Sequence, residues 1–151
     1  MSLDSYLEDL ENLGSSLESE IEKIIKRKQG LLVGLIKNRL YQKGIDAFGN
    51  EITPTYSKYT IEEKKSKNQR TSHVTLRDTG NFYDGIFVEI VNNVIKVDST
   101  DGKTESLISK YGEGILGFTQ EEKEFIVFGL LEPEIQKIIN NIGKNGINLS
   151  K

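Results

Sequence analysis

The chain has no cysteine, a single histidine and only two prolines in 151 residues. Without cysteine there is no disulfide framework, no thiolate metal site and no cysteine nucleophile, so packing alone must hold the scaffold. No apolar run approaches the roughly 18 residues that a membrane span needs. The opening residues Met1-Ser2-Leu3-Asp4 carry an acid where a secretory signal would place Lys or Arg ahead of an apolar stretch. We expect a protein made in, and retained in, a cytoplasm or a particle assembled there, with no membrane partner.

Chemistry is equally sparse. Histidine is the usual acid or base near neutrality, and His73 stands in a polar stretch beside Thr71 and Ser72, which reads as solvated surface. A Ser-His-Asp set can be drawn from Ser72, His73 and Asp78, but no Gly-x-Ser-x-Gly turn surrounds any serine. Gly112-Glu113-Gly114-Ile115-Leu116-Gly117 matches G-x-G-x-x-G by letter. It precedes a Thr-capped helix instead of following a strand, however, and its acid would repel phosphate, so we read a structural turn. Asp98-Ser99-Thr100-Asp101-Gly102 shares part of a calcium loop without its spacing or its closing Glu, and reads as a plain turn. We expect no enzyme: no catalytic residue, no metal, no cofactor and no small-molecule substrate.

What is present is a globular composition, 36% hydrophobic and 28% charged, at a length that suits one domain. The formal net charge of −3 conceals segregation. Residues 1–22 hold seven acids and no base, residues 23–77 thirteen bases and four acids, and residues 78–151 seven bases and twelve acids. Such blocks are neutralised inside one fold, or they lie on opposite faces and draw copies together head to tail, which builds rings when the rotation closes.

Residues 1–43 read as helix, because Leu3, Leu7, Leu10, Leu13, Leu17, Ile21, Ile24 and Ile25 recur at steps of three and four and continue from Leu31 to Leu40. Ser2 is the expected N-cap. Gly14 and Gly30 are weak points, so one long helix or two to three consecutive ones are expected. Residues 44–75 read as a long basic loop with Tyr56, Tyr59, Lys58, Lys64, Lys65, Lys67 and Arg70, with room for a short helix at 60–67. Those bases could neutralise phosphates while the tyrosines stack on nucleobases. Residues 76–98 read as a turn, with Asp78 or Thr79 as cap, followed by a hairpin around Asn92-Asn93. Residues 103–143 read as C-terminal helices: one at 104–111 ended by Gly112, one opened by the capping box Thr119-Gln120-Glu121-Glu122, and one with Pro133 in its first turn and Gly143 at its end. The Asn- and Gly-rich tail beyond reads as poorly ordered. The expected fold is α+β, with helices at both ends flanking a small antiparallel sheet.

Within residues 30–100 the order of signals is helix, Leu40-Tyr41-Gln42-Lys43-Gly44-Ile45-Asp46-Ala47-Phe48-Gly49, Pro54-Thr55-Tyr56-Ser57, a basic stretch, then Leu76-Arg77-Asp78-Thr79-Gly80-Asn81-Phe82-Tyr83 leading into a hairpin. This resembles the tail-completion and virion-morphogenesis family of tailed bacteriophages, in which a Leu-Arg-x-Thr-Gly segment follows a long helix and a variable loop. Where that family commonly shows an aromatic-histidine segment and a Pro-Ala-Arg-Pro-like stretch, this chain has Leu107-Ile108-Ser109-Lys110-Tyr111-Gly112 and Gly117-Phe118-Thr119. The resemblance implies a ring-forming component of the neck, head-tail connector or upper tail. Its partners would be copies of itself and portal, connector or tail proteins, with non-specific contact to packaged DNA, in a virion assembled in the host cytoplasm. Arg77, Asp78, Thr79, Gly80 and Tyr83 are then the expected interface residues, with Arg77 foremost because its planar fork can pair bidentately with a neighbour's carboxylate. The alternative is a phage-encoded nucleic-acid-binding accessory protein acting through the basic loop.

Overall fold

A computed structural model of the chain describes residues 2–92 and 94–145. The expected α+β architecture is what it shows. Helix α1 (Leu3–Arg27) starts at Ser2, whose hydroxyl accepts the Ser5 amide at 3.1 Å. Gly14 lies inside α1 without interrupting it, since one glycine costs only about 1 kcal/mol against a helix of this length. The break falls instead at Lys28, two residues before Gly30, and α2 (Gln29–Asn38) continues from there. A π-helical turn at Arg39–Lys43 then ends on Gly44, in the left-handed region at φ 63°.

The segment expected to be a long loop is more ordered than its composition suggested. From Gly44 to Ile52 it folds on itself: Asp46 Oδ1 accepts the amides of Phe48 and Asn50, and the Ile52 amide donates to Gly44 O at 3.0 Å. Helix α3 (Lys58–Ser66) follows, capped by the Ser57 hydroxyl. The short α4 (Asn81–Gly85) then leads into β1 (Ile86–Val91), which pairs antiparallel with β2 (Val94–Ser99), with Val91 opposite Val94. Asn92 takes the positive φ, 51°, that the two-residue turn requires, while Asn93 lies outside the described residues. Helix α5 (Thr104–Tyr111) ends at Gly112, as expected. Helix α6 (Gln120–Glu124), a π-helical stretch Phe125–Leu131 and α7 (Glu132–Asn145) run on continuously. α7 therefore passes Gly143, the expected terminator, and the tail beyond Asn145 lies outside the described residues.

One core joins these elements. Ile25, Leu32, Ile36 and Leu40 from the N-terminal helices meet Phe82, Ile86 and Val88 around the hairpin, and Ile115, Phe118 and Ile126 from the C-terminal part. A two-stranded sheet is marginal by itself, and here its β1 edge is held by one side chain. Gln29 Nε2 donates to Val88 O while Gln29 Oε1 accepts the Val88 amide at 3.0 Å, so a glutamine stands in for a third strand.

Candidate functional site

The segment Leu76–Gly80 is built from backbone conformations that constrain it locally. Leu76 is buried at φ 57°, and Gly80 at φ 96° is the N-cap of α4. Neither Asp78 nor Thr79 fills the capping role expected of it. Thr79 Oγ1 only receives the Asn81 amide at 3.4 Å. The Asp78 carboxylate turns to Lys67 Nζ at 3.2 Å, and that hydrogen bond holds its pKa below the ordinary carboxylate value while raising that of Lys67. Phe82 and Tyr83 are buried, and Tyr83 donates its hydroxyl to Thr75 O. Burial pushes the Tyr83 phenol well above its usual pKa. Tyr83 therefore belongs to the core and not to an outer surface, a correction to its place among the interface residues.

Lys64 also departs from expectation. It is buried, donates to Arg77 O at 2.9 Å and lies over the Tyr56 ring at 4.9 Å, so its ammonium supports the turn from inside. Lys67 is engaged by Glu63 and Asp78, whereas Lys58 and Lys65 remain exposed. Arg70 and Arg77 converge on a single ring, with guanidinium carbons 4.9 and 5.5 Å from the Tyr41 centroid. Arg77 is exposed, and neither arginine meets a carboxylate among the described residues. His73 is half-buried, with Nε2 2.6 Å from Tyr41 O and Nδ1 3.1 Å from Ser72 Oγ. It ties the π-helical turn to the segment before Leu76 and is not the solvated residue expected. With Asp78 committed to Lys67, the paper triad is not assembled.

Beside this patch Leu76–Gly80 forms one wall of a small pocket of about 180 Å³, whose apolar lining comes from Tyr56, Leu76, Phe82, Leu107 and Tyr111. Arg77 and Lys103 stand at it. A much larger open groove of about 1350 Å³ runs between the 45–49 loop, β2 and the Phe125–Leu131 stretch. Phe48 is 76% exposed and Val94 64% exposed, and Phe125 and Val127 add further uncovered apolar surface. On the same stretch Phe128 is 65% exposed.

The groove is held by a buried pair that charge counting missed. Arg39, 3% exposed, directs Nη1 to Glu122 Oε2, Nη2 to Gly117 O at 2.9 Å and Nε to Ile45 O at 3.2 Å. Burial lowers the Arg39 pKa and Glu122 opposes that shift. Glu122 completes the capping box by accepting the Thr119 amide at 2.8 Å, so one carboxylate both caps α6 and pairs with the buried Arg39. Two glycines of the G-x-G-x-x-G stretch have packing roles, since a Cβ at Gly114 would meet the Phe48 ring at 2.9 Å and one at Gly117 the Ala47 Cβ at 3.0 Å, while Gly112 serves the backbone at φ 94°. The Ala47 amide donates to Gly114 O at 2.7 Å, which locks the Phe48 loop in place.

Among the described residues no group of three or more His, Asp and Glu is gathered to hold a metal, and no helix is long and apolar enough to cross a membrane. The surfaces left open are an uncovered apolar groove and a basic-aromatic patch with an adjoining pocket. Comparison with protein-family models, with curated proteins and with solved structures found no match for the chain.

Proposed function

We propose that the chain is a structural virion protein of a tailed phage, a ring-forming tail-completion or head-tail connector component that acts through protein–protein assembly. The observation that carries the assembly reading is the uncovered apolar surface of Phe48, Val94, Phe125 and Val127, which line the groove together. Exposed apolar residues scattered singly need no explanation, but a contiguous set lining a concave face marks an interaction site. The phage assignment rests on the Leu76-Arg77-Asp78-Thr79-Gly80 resemblance and its order of elements, helix, basic stretch, turn and hairpin, which is also the order of this fold. Copies of the chain and portal, connector or tail proteins are the partners, and the place is the head-tail junction or tail. No residue has a catalytic role in this reading, and packaged DNA is met only non-specifically.

Sedimentation velocity of the purified chain, alone and mixed with portal or tail proteins of a tailed phage, tests the reading. The expected result is a concentration-dependent oligomer or a mixed complex, weakened by F48S/F125S. A chain that stays monomeric in every mixture refutes it.

The nucleic-acid-binding alternative is left with fewer free bases than the sequence suggested. Lys64 is buried and Lys67 is paired, so Lys58, Lys65 and the two arginines on Tyr41 would carry it. Its signature is DNA binding by the isolated chain that falls steeply with salt.

A further inference from the structure

The first turns of α1 are the other uncovered apolar element. From Ser2 to Glu20 no described side chain is buried, and Leu3 and Leu7 are 71% and 48% exposed beside exposed Asp4, Glu8 and Glu11. Ile24 and Ile25, farther along the same helix, are fixed in the interior. At 1.5 Å per residue the Leu3 turn stands about 30 Å along the axis from Ile24, so an unbroken α1 carries its acidic, leucine-bearing end outward. It cannot fold back onto its own body without breaking the helix.

The patch around Tyr41 has the complementary chemistry. Two arginines without carboxylate partners meet at one ring, and Arg77 also lines the pocket of about 180 Å³ floored by Tyr56, Leu76, Phe82, Leu107 and Tyr111. A cavity of that volume suits one aliphatic side chain or two small ones, and the Arg77 guanidinium and Lys103 ammonium that line it suit carboxylates. Of the two acids on its wall, Asp78 is paired with Lys67 and Asp101 stands near Lys103 in sequence.

We infer that the Leu3–Glu11 end of α1 of a second copy docks here, a leucine entering the pocket and its neighbouring acids pairing with Arg70 and Arg77. This rests on the assembly reading and names the two surfaces it joins. Because the surfaces differ, the contact is heterologous: each copy offers its arm to the next and its patch to the previous one, the arrangement that closes into a ring or grows into a filament. The charge blocks at the two ends of the contact, acids without a base in residues 1–22 and an excess of bases in residues 23–77, point the same way. The Leu76–Gly80 turn thereby acquires a job, since it shapes the pocket wall and sets Arg77 at the rim.

The test is charge reversal with rescue, read by sedimentation velocity on the full chain at low and high salt. R70E/R77E and D4K/E8K/E11K are each expected to weaken self-association by about tenfold or more, and an equimolar mixture of the two to restore it. L3S/L7S should weaken it without sensitivity to salt. R77E alone, on an exposed side chain, serves if the double reversal fails to fold, with far-UV circular dichroism as the check. A wild-type chain that self-associates while every variant associates equally well overturns this contact and leaves the assembly reading standing. A wild-type chain that is monomeric alone but binds portal or tail proteins does the same. Loss of DNA binding by R70E/R77E with self-association unchanged assigns the patch to nucleic acid and overturns it as well. Failure to associate with anything removes both the contact and the reading beneath it.

Discussion

Glu122→Ala should be the most damaging single change in the charged complement of this protein. The Glu122 carboxylate receives the Arg39 guanidinium and the Thr119 amide, and Arg39 is 3% exposed. Removing it ends half of the capping box, worth about 1 kcal/mol. It also leaves the guanidinium with only the Gly117 and Ile45 carbonyls in a dry site, and breaking a buried pair in this way costs about 3–5 kcal/mol. Because the Glu122 side chain keeps 15% exposure, water relieves part of that, and about 4 kcal/mol in total is the expected loss. A chain of this size should then melt about 12 °C lower. Urea unfolding followed by far-UV circular dichroism measures the free energy, and the partner variant R39M keeps the aliphatic stem while removing the charge. The double variant R39M/E122A should lose less than the two singles added together, by about 2 kcal/mol, since neither leaves a charge for the other to strand. An E122A protein within about 1 kcal/mol of wild type, or strictly additive singles, would falsify the account of Arg39–Glu122 as the tie between the two ends of the chain.

Three further outcomes follow from other parts of the fold. Gln29→Ala strips the Val88 amide and carbonyl of their partner at the β1 edge, so a loss of about 2 kcal/mol is expected together with faster amide exchange along β1, and unchanged exchange there would contradict the strand-substitute role. Gly44→Ala should cost more than Gly80→Ala: both residues have positive φ, worth about 1–2 kcal/mol each, but a Cβ at Gly44 meets the His73 ring at 2.5 Å whereas at Gly80 the nearest atom is Asp84 Oδ2 at 3.9 Å. Denaturation midpoints of the two variants in the reverse order would refute this. Tyr83 has a folded pKa raised above its unfolded value of about 10, so its contribution is complete below that value and is lost as the pH rises toward the folded pKa. The phenolate absorbance of one tyrosine should therefore appear only as the fold melts in alkali. Y83F should lose about 1 kcal/mol at neutral pH, from the bond to Thr75 O, and show a shallower alkaline limb.

Local chemistry carried much of this fold into the sequence. The capping box is written in Thr119 and Glu122, the hairpin in the alternation from Ile86 and the two asparagines, and the start of α1 in Ser2, because each depends on atoms within a few residues. Pro133, by contrast, expected to open a last helix, lies inside one that runs on without a break. The candidate site was legible only in part. Arg77 and Arg70 were named, but Tyr41, the ring that brings them together, lies 29 positions before Arg70. Lys64 reads as one more solvated lysine until α3 lays it across Tyr56 and Arg77 O. The groove gave no periodic signal at all, since Phe48, Val94 and Phe125 come from a loop, a strand and a π-helical stretch. A sharper signal was available for Arg39: an arginine on the apolar face of a helical pattern, four residues after Leu35 and next to Leu40, must find a carboxylate or stay exposed.

By itself, then, the sequence determined the fold class, most element boundaries, the absence of cysteine chemistry and the segregation of charge, all properties of composition or of neighbours along the chain. Tertiary structure alone decided which charges are spent internally, which glycines serve packing, and which apolar residues stay uncovered. Arg39 and Glu122 are 83 positions apart, and no local preference favours their meeting. Burial is a property of the whole chain closing around a point, so a lysine, a tyrosine or a phenylalanine becomes core or surface only when distant segments arrive beside it.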